Sequence, residues 1–362
     1  MPESEARGTR QRADGEPATL TEPFEIGGVR IVNRVLLAPL AGIGNWFVRL
    51  QARRHGAGMA VSEMVSSFGL HHGNERTLRE MLRIHPDEHP LAIQLFGHDP
   101  EVMRSAASIA ARAGADLIDI NMGCPVRKVC KTGAGAALLA DHDLAERIAR
   151  GAIEGSGVPV TVKLRSGVEP GDRSGFDLAL RLVERAGVSA VAFHPRPAAL
   201  QHRGDPDYAL ARELAERVEV PVIVSGGMRS ADAVRRAHRE SGATAVMVAR
   251  GALGDPWIFA ELTGRPIASP TAAQRLDELI WVIDRAEQHL GGERAARYLR
   301  KFYPWYLDRI PQSDRAAKAL QRSGSLIEAR ALLAELRADS NPARAGRAER
   351  RPGALVPSAV SV

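Results

Sequence analysis

From about residue 21 to residue 265 the chain alternates two kinds of segment. Short runs are apolar and β-branched throughout. Longer runs between them carry apolar residues every three or four positions. The short runs are RVLLAP (34–39), GMAVSE (58–63), LAIQLF (91–96), LIDIN (117–121), VPVTVK (158–163), SAVAFH (189–194), VPVIVSG (220–226) and TAVMVAR (244–250). Continuous apolar character means burial on both faces, as in parallel strands covered by helices. The segment SADAVRRAHRESG (230–242) has helical spacing, opens on a Ser that can cap the first N–H groups, and ends on Gly. Eight strand–helix units over about 240 residues match a (β/α)8 TIM barrel. An open doubly wound sheet is the alternative, but the first strand is not followed by G-x-G-x-x-G.

After Ile267 the pattern is helical only, through SPTAAQRLDELIWVIDRAEQHLGGERAARYLRKFYPWYLDRIP and SDRAAKALQRSGSLIEARALLAELRA. The expected organisation is α/β: a TIM-barrel domain over 21–265, a Pro-containing junction at Pro266 to Pro270, and a C-terminal all-helical domain over 271–338. Residues 1–20 and 339–362 are polar and lack periodicity, so both are expected to be disordered tails.

Composition narrows the class. Hydrophobic residues make up 44% and charged residues 25%, as in globular proteins. The N-terminus has no apolar h-region and no run approaches about 18 apolar residues. No membrane association and a cytoplasmic location are therefore expected. The two cysteines cannot build a disulfide framework, and His71, His72, His98, His142 and His202 show no ligand spacing, so no metal is expected. Of the net charge of +6, most lies beyond Thr271, where 16 Lys and Arg face 11 Asp and Glu. This fits either a solvated helical surface or a module that binds a polyanion.

In such a barrel, chemistry sits at the C-terminal strand ends. Read in order, these ends carry Pro39, Glu63, Gln94, Asn121 with Cys124, Lys163 with Arg165, His194 with Arg196, Ser225-Gly226-Gly227, and Ala249-Arg250. The backbone N–H groups of Gly226, Gly227, Ala249 and Arg250, with the Arg250 cation, suit a phosphate. Gln94, Lys163 and His194 could line the edge of a heteroaromatic ring on that phosphate, with Lys163 stabilising negative charge on a reduced ring. Glu63 fits a hydrogen-bond partner within the barrel as well as a substrate contact. Asp119, in mid-strand, receives no catalytic role. Cys124 lies in NMGCP, just past the fourth strand, and could serve as a nucleophile or as a general acid. Cys130 is six positions on, and a reducing setting argues against a disulfide between the two.

The strings APLAGI (38–43), SEMVSS (62–67), IQLFGHDP (93–100), DINMGCPVRKV (119–129), GAGAALL (133–139), VTVKLRSG (160–167), HPRP (194–197) and RGALGDPWIF (250–259) resemble the tRNA-dihydrouridine synthases, most closely the bacterial B-type branch. NMGCP with VKLRSG downstream is the most specific part. The resemblance implies a TIM barrel binding FMN, followed by a helical tRNA-binding domain. It implies reduction of a tRNA uridine, with NADPH reducing the flavin, hydride passing from flavin N5 to C6, and Cys124 protonating C5. By the same resemblance Gln94, Lys163 and His194 contact the flavin ring. Ala38, Pro39, Leu40, Ser225, Gly226, Gly227, Ala249 and Arg250 complete the cofactor site. Asn121, Glu63, Arg165 and Arg196 face the substrate. The chain departs from the family pattern at HPRP for HGRT, SGG for NGD after the seventh strand, AR for GR after the eighth, GN for TD near the start, and RKF for RKH. Two other functions stay open: a catalytically impaired tRNA-binding protein on the same fold, and an FMN-dependent oxidoreductase of a small molecule.

Overall fold

Every apolar run becomes a strand of a closed parallel barrel. The structure is a computed structural model that describes residues 19–265, 268–311 and 313–339. Its strands are β1 (Phe24–Ile26), β2 (Val29–Ile31), β3 (Val35–Leu37), β4 (Met59–Val61), β5 (Val65–Ser66), β6 (Leu91–Phe96), β7 (Leu117–Met122), β8 (Val160–Arg165), β9 (Ala190–His194), β10 (Val222–Ser225) and β11 (Ala245–Val248). Hydrogen bonding runs β3–β4–β6–β7–β8–β9–β10–β11 and returns from β11 to β3, with every pair parallel. Two elements were not foreseen: the antiparallel hairpin β1–β2, and β5, a short strand added to β6.

The two-residue side-chain period then sorts each strand into an inner and an outer set. Outer residues such as Ile93, Ile118, Val162, Val191, Val224 and Val246 are fully buried against the surrounding helices. Inner residues at the strand starts are apolar. Leu36, Met59, Ala92, Leu117, Ala190, Ile223 and Ala245 cluster with Phe24, Ile26 and Ile31 of the hairpin. The hairpin therefore plugs the N-terminal end of the barrel. Its turn is pressed against the starts of β8 and β9, since a Cβ on Gly27 (φ +56°) would lie 2.6 Å from Pro159 and 2.9 Å from Ser189. Further along the same inner rows the side chains become polar, as in Leu117–Asp119–Asn121 and Ala190–Ala192–His194. The open end of the barrel is thus lined by Gln94, Asp119, Asn121, Thr161, Lys163, Arg165, His194 and Ser225.

Packing starts slightly earlier than expected. Leu20 is buried, and its carbonyl accepts the Arg34 N–H at 2.9 Å. The rest of the expected N-terminal tail, and the C-terminal one beyond Asp339, lie outside the described residues.

The chain separates into two compact units between Ile267 and Ala268. The second consists of helices Ala272–Leu290, Gly292–Leu299, Tyr303–Leu307, Asp314–Arg322 and Leu326–Asp339. A reciprocal capping pair, Thr271 and Gln274, starts the first of them. Leu276, Leu279, Ile283, Leu299, Tyr306, Leu320 and Leu333 form its core. Arg330 ties helices together through Asp284 (2.8 Å) and Glu287 (2.7 Å). Helix Asp314–Arg322 exposes Arg315, Lys318 and Arg322 at three- and four-residue spacing, so they share one face. None of the three has an acidic partner among the described residues. Among those residues, no helix is long and apolar enough to cross a membrane, and no three His, Cys, Asp or Glu side chains gather as metal ligands.

Candidate active site

Gln94, Asp119 and Thr161 are register neighbours on β6, β7 and β8, so they form one row across the barrel interior. Asp119 is 2% exposed. Its carboxylate accepts from Gln94 Nε2 and from Thr161 Oγ1, both at 2.6 Å. Burial pushes the Asp119 carboxyl up from the usual carboxylate range; its bonds with Gln94 and Thr161 and the Lys163 charge act the other way. Gln94 Oε1 accepts from Asn121 Nδ2 at 2.9 Å. Asn121 Oδ1 accepts the backbone N–H groups of Cys124 (3.0 Å) and Gly123 (3.3 Å). The remaining amide hydrogen of Asn121 points toward Met64 Sδ, 3.8 Å away. Asn121 sits at the rim, as a substrate contact should, yet its carboxamide has no bond to offer a ligand without giving up an internal one.

Cys124 is half-buried on the loop these bonds hold. Its carbonyl accepts from Ala136 N–H at 3.0 Å and from the Cys130 thiol at 3.2 Å. Gly135 (φ +64°) lets the returning chain approach so closely that a Cβ there would lie 2.8 Å from that carbonyl oxygen. Arg165 Nε donates to Gly123 O at 3.0 Å, and its Nη1 donates to Pro197 O (3.2 Å) and Gln201 O (2.8 Å). Arg165, expected at the substrate, is therefore a brace between the Cys124 loop and the loop after β9. The two prolines of HPRP suit that arrangement, because Pro197 and Pro195 are used through their carbonyls, the latter accepting Asp207 N–H at 2.7 Å. Both thiols are free. Burial pushes the Cys124 thiol up, with Cys130 adding to this and a backbone hydrogen bond, Arg165 and Lys163 opposing it. The thiol accordingly keeps its proton at neutral pH.

Lys163 occupies the next inner position above Thr161 and donates to Ser225 Oγ at 3.3 Å. Burial, then the Arg165 charge, lowers its ammonium to about 8, against the pull of Asp119 and Cys124. His194 is buried and neutral: burial first, then Lys163, Arg165 and Arg196, hold it well below the ordinary imidazole range. Arg196 Nη1 lies 3.2 Å from His194 Nε2. A guanidinium can only donate, so Nε2 is the acceptor and the ring proton sits on Nδ1. Arg196 Nη2 donates to Gly204 O at 2.7 Å, and its buried Nε has no partner among the described residues.

Beyond β10 the backbone is bare by necessity. Gly226 has φ +107°, and a Cβ there would come within 2.5 Å of His194 Nε2. Its carbonyl accepts from Tyr208 Oη at 2.7 Å. Exposed Arg229 and Arg250 stand near Arg196. Burial and these charges, with that of Arg165, drive His202 down to about 4. Ala249 precedes the short turn Arg250–Ala252, which packs against the β10 loop: a Cβ on Gly251 would lie 2.6 Å from Met228 O. Ser225, Gly226, Gly227, Ala249 and Arg250 thus lie at the ends of the neighbouring strands β10 and β11.

Ala38, Pro39 and Leu40 follow β3, with Ala38 N–H donating to Val248 O at 2.8 Å. Glu63 accepts from Gly42 N–H at 2.7 Å and so steadies this loop. A second support comes from below. Arg49, 1% exposed, pairs with fully buried Glu88 at 2.6 Å and donates to Gly44 O at 3.1 Å. Thr161, Tyr208 and Arg229 were not singled out from sequence, while Asp119 was read there without a catalytic role and His202 only as lacking metal-ligand spacing. For Asp119 and Thr161 the signal was present, because they share inner parity with Asn121 and Lys163.

The sequence model of the family described as "Dihydrouridine synthase (Dus)" matches residues 36–340. The chain is 36% identical over 296 residues to "tRNA-dihydrouridine synthase B" of Xanthomonas axonopodis pv. citri, covering 80% of this chain and 88% of that protein. It is 37% identical over 293 residues to "tRNA-dihydrouridine synthase B" of Pseudomonas aeruginosa, covering 79% and 87%. Among solved structures, a variant of NCR from Zymomonas mobilis superimposes with a TM-score of 0.53 at 17% identity, covering 71% of this chain and 95% of that one. Histamine dehydrogenase from Rhizobium sp. 4-9 does so with a TM-score of 0.52 at 15% identity, covering 68% and 48%. These two likenesses concern the barrel fold alone.

Proposed function

Because the chain belongs to the dihydrouridine synthase family, we propose that it is an oxidoreductase reducing a uridine of tRNA to 5,6-dihydrouridine at the barrel mouth, with FMN as cofactor and NADPH as reductant. The observation that carries this reading is the free, half-buried Cys124 thiol, held on a braced loop at the same rim as Lys163 and His194.

The residues present fit FMN. The buried Arg196 Nε lacks a partner among the described residues, and the space above His194 stays open because position 226 bears no side chain. The Arg196, Arg229 and Arg250 cations beside the Gly226-Gly227 and Ala249-Arg250 turns suit a phosphate dianion. Gln94, Lys163 and His194 would hold the ring, Ala38, Pro39 and Leu40 one wall of the site, and Ser225, Gly226, Gly227, Ala249 and Arg250 the phosphate end. When bound and reduced by NADPH, FMN supplies the hydride that C6 of the uracil receives.

The protein's own residues handle charge and proton. As C6 gains its hydride, electron density builds at C5, and the Cys124 S–H bond breaks to protonate that carbon. The thiolate left behind is stabilised by the nearby Lys163 and Arg165 charges. Lys163, whose ammonium is loosened by burial, is the cation best placed to meet negative charge on a reduced ring. A base stacked in tRNA cannot reach this recessed rim, so the uridine must be flipped out. The Arg315, Lys318 and Arg322 face supports phosphate binding by the helical unit. A cytoplasmic setting belongs to the same reading.

The test is direct. Purified protein should show a flavin absorbance band, and tRNA from a deletion strain should lack dihydrouridine at one position. A colourless protein together with an unchanged dihydrouridine map would refute the reading.

A further inference from the structure

We propose that Asp119 is a positioning residue: its carboxylate sets the donor–acceptor direction of a relay through Gln94 and Asn121 that ends on the backbone N–H of Cys124. The part of this that concerns proton transfer rests on the reading of Cys124 as the acid.

A carboxamide has two unlike ends, and nothing in its shape decides which way it faces. The bonds around it decide. An ionised Asp119 can only accept, so Gln94 must turn Nε2 toward it, at 2.6 Å. Gln94 then presents Oε1 to Asn121, which must answer with Nδ2, at 2.9 Å. Asn121 is left with Oδ1 facing the Cys124 and Gly123 N–H groups, at 3.0 and 3.3 Å. Turning Gln94 alone would set like against like at Asp119 and Asn121, and turning Asn121 with it would set N–H against N–H at Cys124. The carboxylate is the one side chain of the series with a fixed polarity, and it matches the fixed N–H donors of Cys124 and Gly123 at the other end. Its second oxygen is satisfied by Thr161 at 2.6 Å, so the buried charge is fully bonded. Burial opposes the charge on Asp119; its bonds with Gln94 and Thr161, and Lys163 beside Asn121 in the strand register, favour the ionised form. A group that served only to fill the core would need neither the charge nor this ordered series of bonds.

The experiment shifts the charge by one link. Asp119→Asn keeps the shape but lets position 119 bond in either direction. Asp119→Asn combined with Gln94→Glu places a pure acceptor between two amides, and Asn121 again turns Oδ1 toward Cys124. Three quantities are measured in a Cys130→Ser background: the rate of Cys124 alkylation by iodoacetamide at neutral pH, the melting temperature, and kcat and KM for tRNA in the Asp119→Asn protein. Asp119→Asn should alkylate about tenfold faster and lose about tenfold in kcat with KM within twofold, the scale of one misdirected buried hydrogen bond. The pair should return alkylation to within about threefold of the parent and melt above Asp119→Asn, as compensation between coupled neighbours predicts. If only the pair folds, the rescue is shown by that fact. Unchanged alkylation in Asp119→Asn, or a pair no better than the single variant in alkylation and melting, overturns the proposal. If instead Cys124→Ala retains turnover, the acid assignment fails, while alkylation and melting still report whether Asp119 directs the loop.

Discussion

The thiol of Cys130 donates a hydrogen bond to the backbone carbonyl of Cys124 across 3.2 Å. The two cysteines are thus joined through main chain and side chain, with both sulfurs free. On the proposed function the Cys124 thiol faces the chemistry, and the Cys130 thiol helps hold the peptide that carries it.

Removing that donor should matter a little. A thiol is a weak donor, so Cys130→Ala is expected to cost about 0.5–1 kcal/mol of stability and to slow turnover about two- to fivefold. Cys130→Ser, which keeps a donor, should stay near the parent. Melting curves and single-turnover rates check this, and a loss as deep as that of Cys124→Ala would mean that Cys130 takes part in the chemistry.

Cys124→Ala should keep its flavin spectrum and tRNA affinity while losing about 10²–10⁴ in kcat, the usual worth of a general acid. The pH dependence has a definite sign. Burial raises the thiol's pKa, so the acid form persists through neutrality and is lost only above the ordinary thiol value of about 8.5. A kcat profile already falling at neutral pH would contradict the assignment.

Lys163 makes the opposite prediction for stability. Its folded pKa of about 8 lies below the ordinary value of 10.5. Folding therefore disfavours its charged form, and the penalty is full below pH 8. It fades as pH rises from 8 to 10.5, where the unfolded chain also loses the proton. Without flavin, Lys163→Met should be more stable than the parent at neutral pH by up to about 3 kcal/mol, with the gap closing in alkali. Denaturant titrations at several pH values measure it. A gap that widens with pH would reverse the sign.

Gly226→Ala adds one methyl where the backbone is left-handed and His194 Nε2 would be 2.5 Å away. Strain of about 1–3 kcal/mol is expected, with His194 displaced and flavin lost on dialysis. Absorbance after dialysis is the readout, and full retention of flavin would show that this corner lies outside the cofactor site.

The buried Arg49–Glu88 pair supports the loop after β3 through Gly44. Arg49→Met alone should cost about 3–5 kcal/mol by stranding the carboxylate. Arg49→Met with Glu88→Leu should cost less than either single change, because no charge is left unpaired. Chemical denaturation of the three variants tests this, and additive losses would exclude the mechanism.

The eight barrel strands were legible in the sequence because strands buried on both faces must be apolar throughout, and that leaves an unbroken run. The rim residues were legible for a related reason: an inner row that is apolar at one end and polar at the other marks where the barrel opens. Cys124, Gln94, Lys163 and His194 follow from that rule. What only the tertiary structure decided is who bonds to whom. Asp119 meets Gln94 and Thr161, 25 and 42 residues away in the chain, because barrel closure sets three strands in one register. Arg165 turns to carbonyls on two loops, and the hairpin plugs the far end, for reasons no local pattern carries. The proton affinities of Cys124 and Lys163 likewise depend on desolvation by strands distant in sequence. Local chemistry determined which residues could reach the rim; closure of the sheet decided which of them act and which hold the others in place.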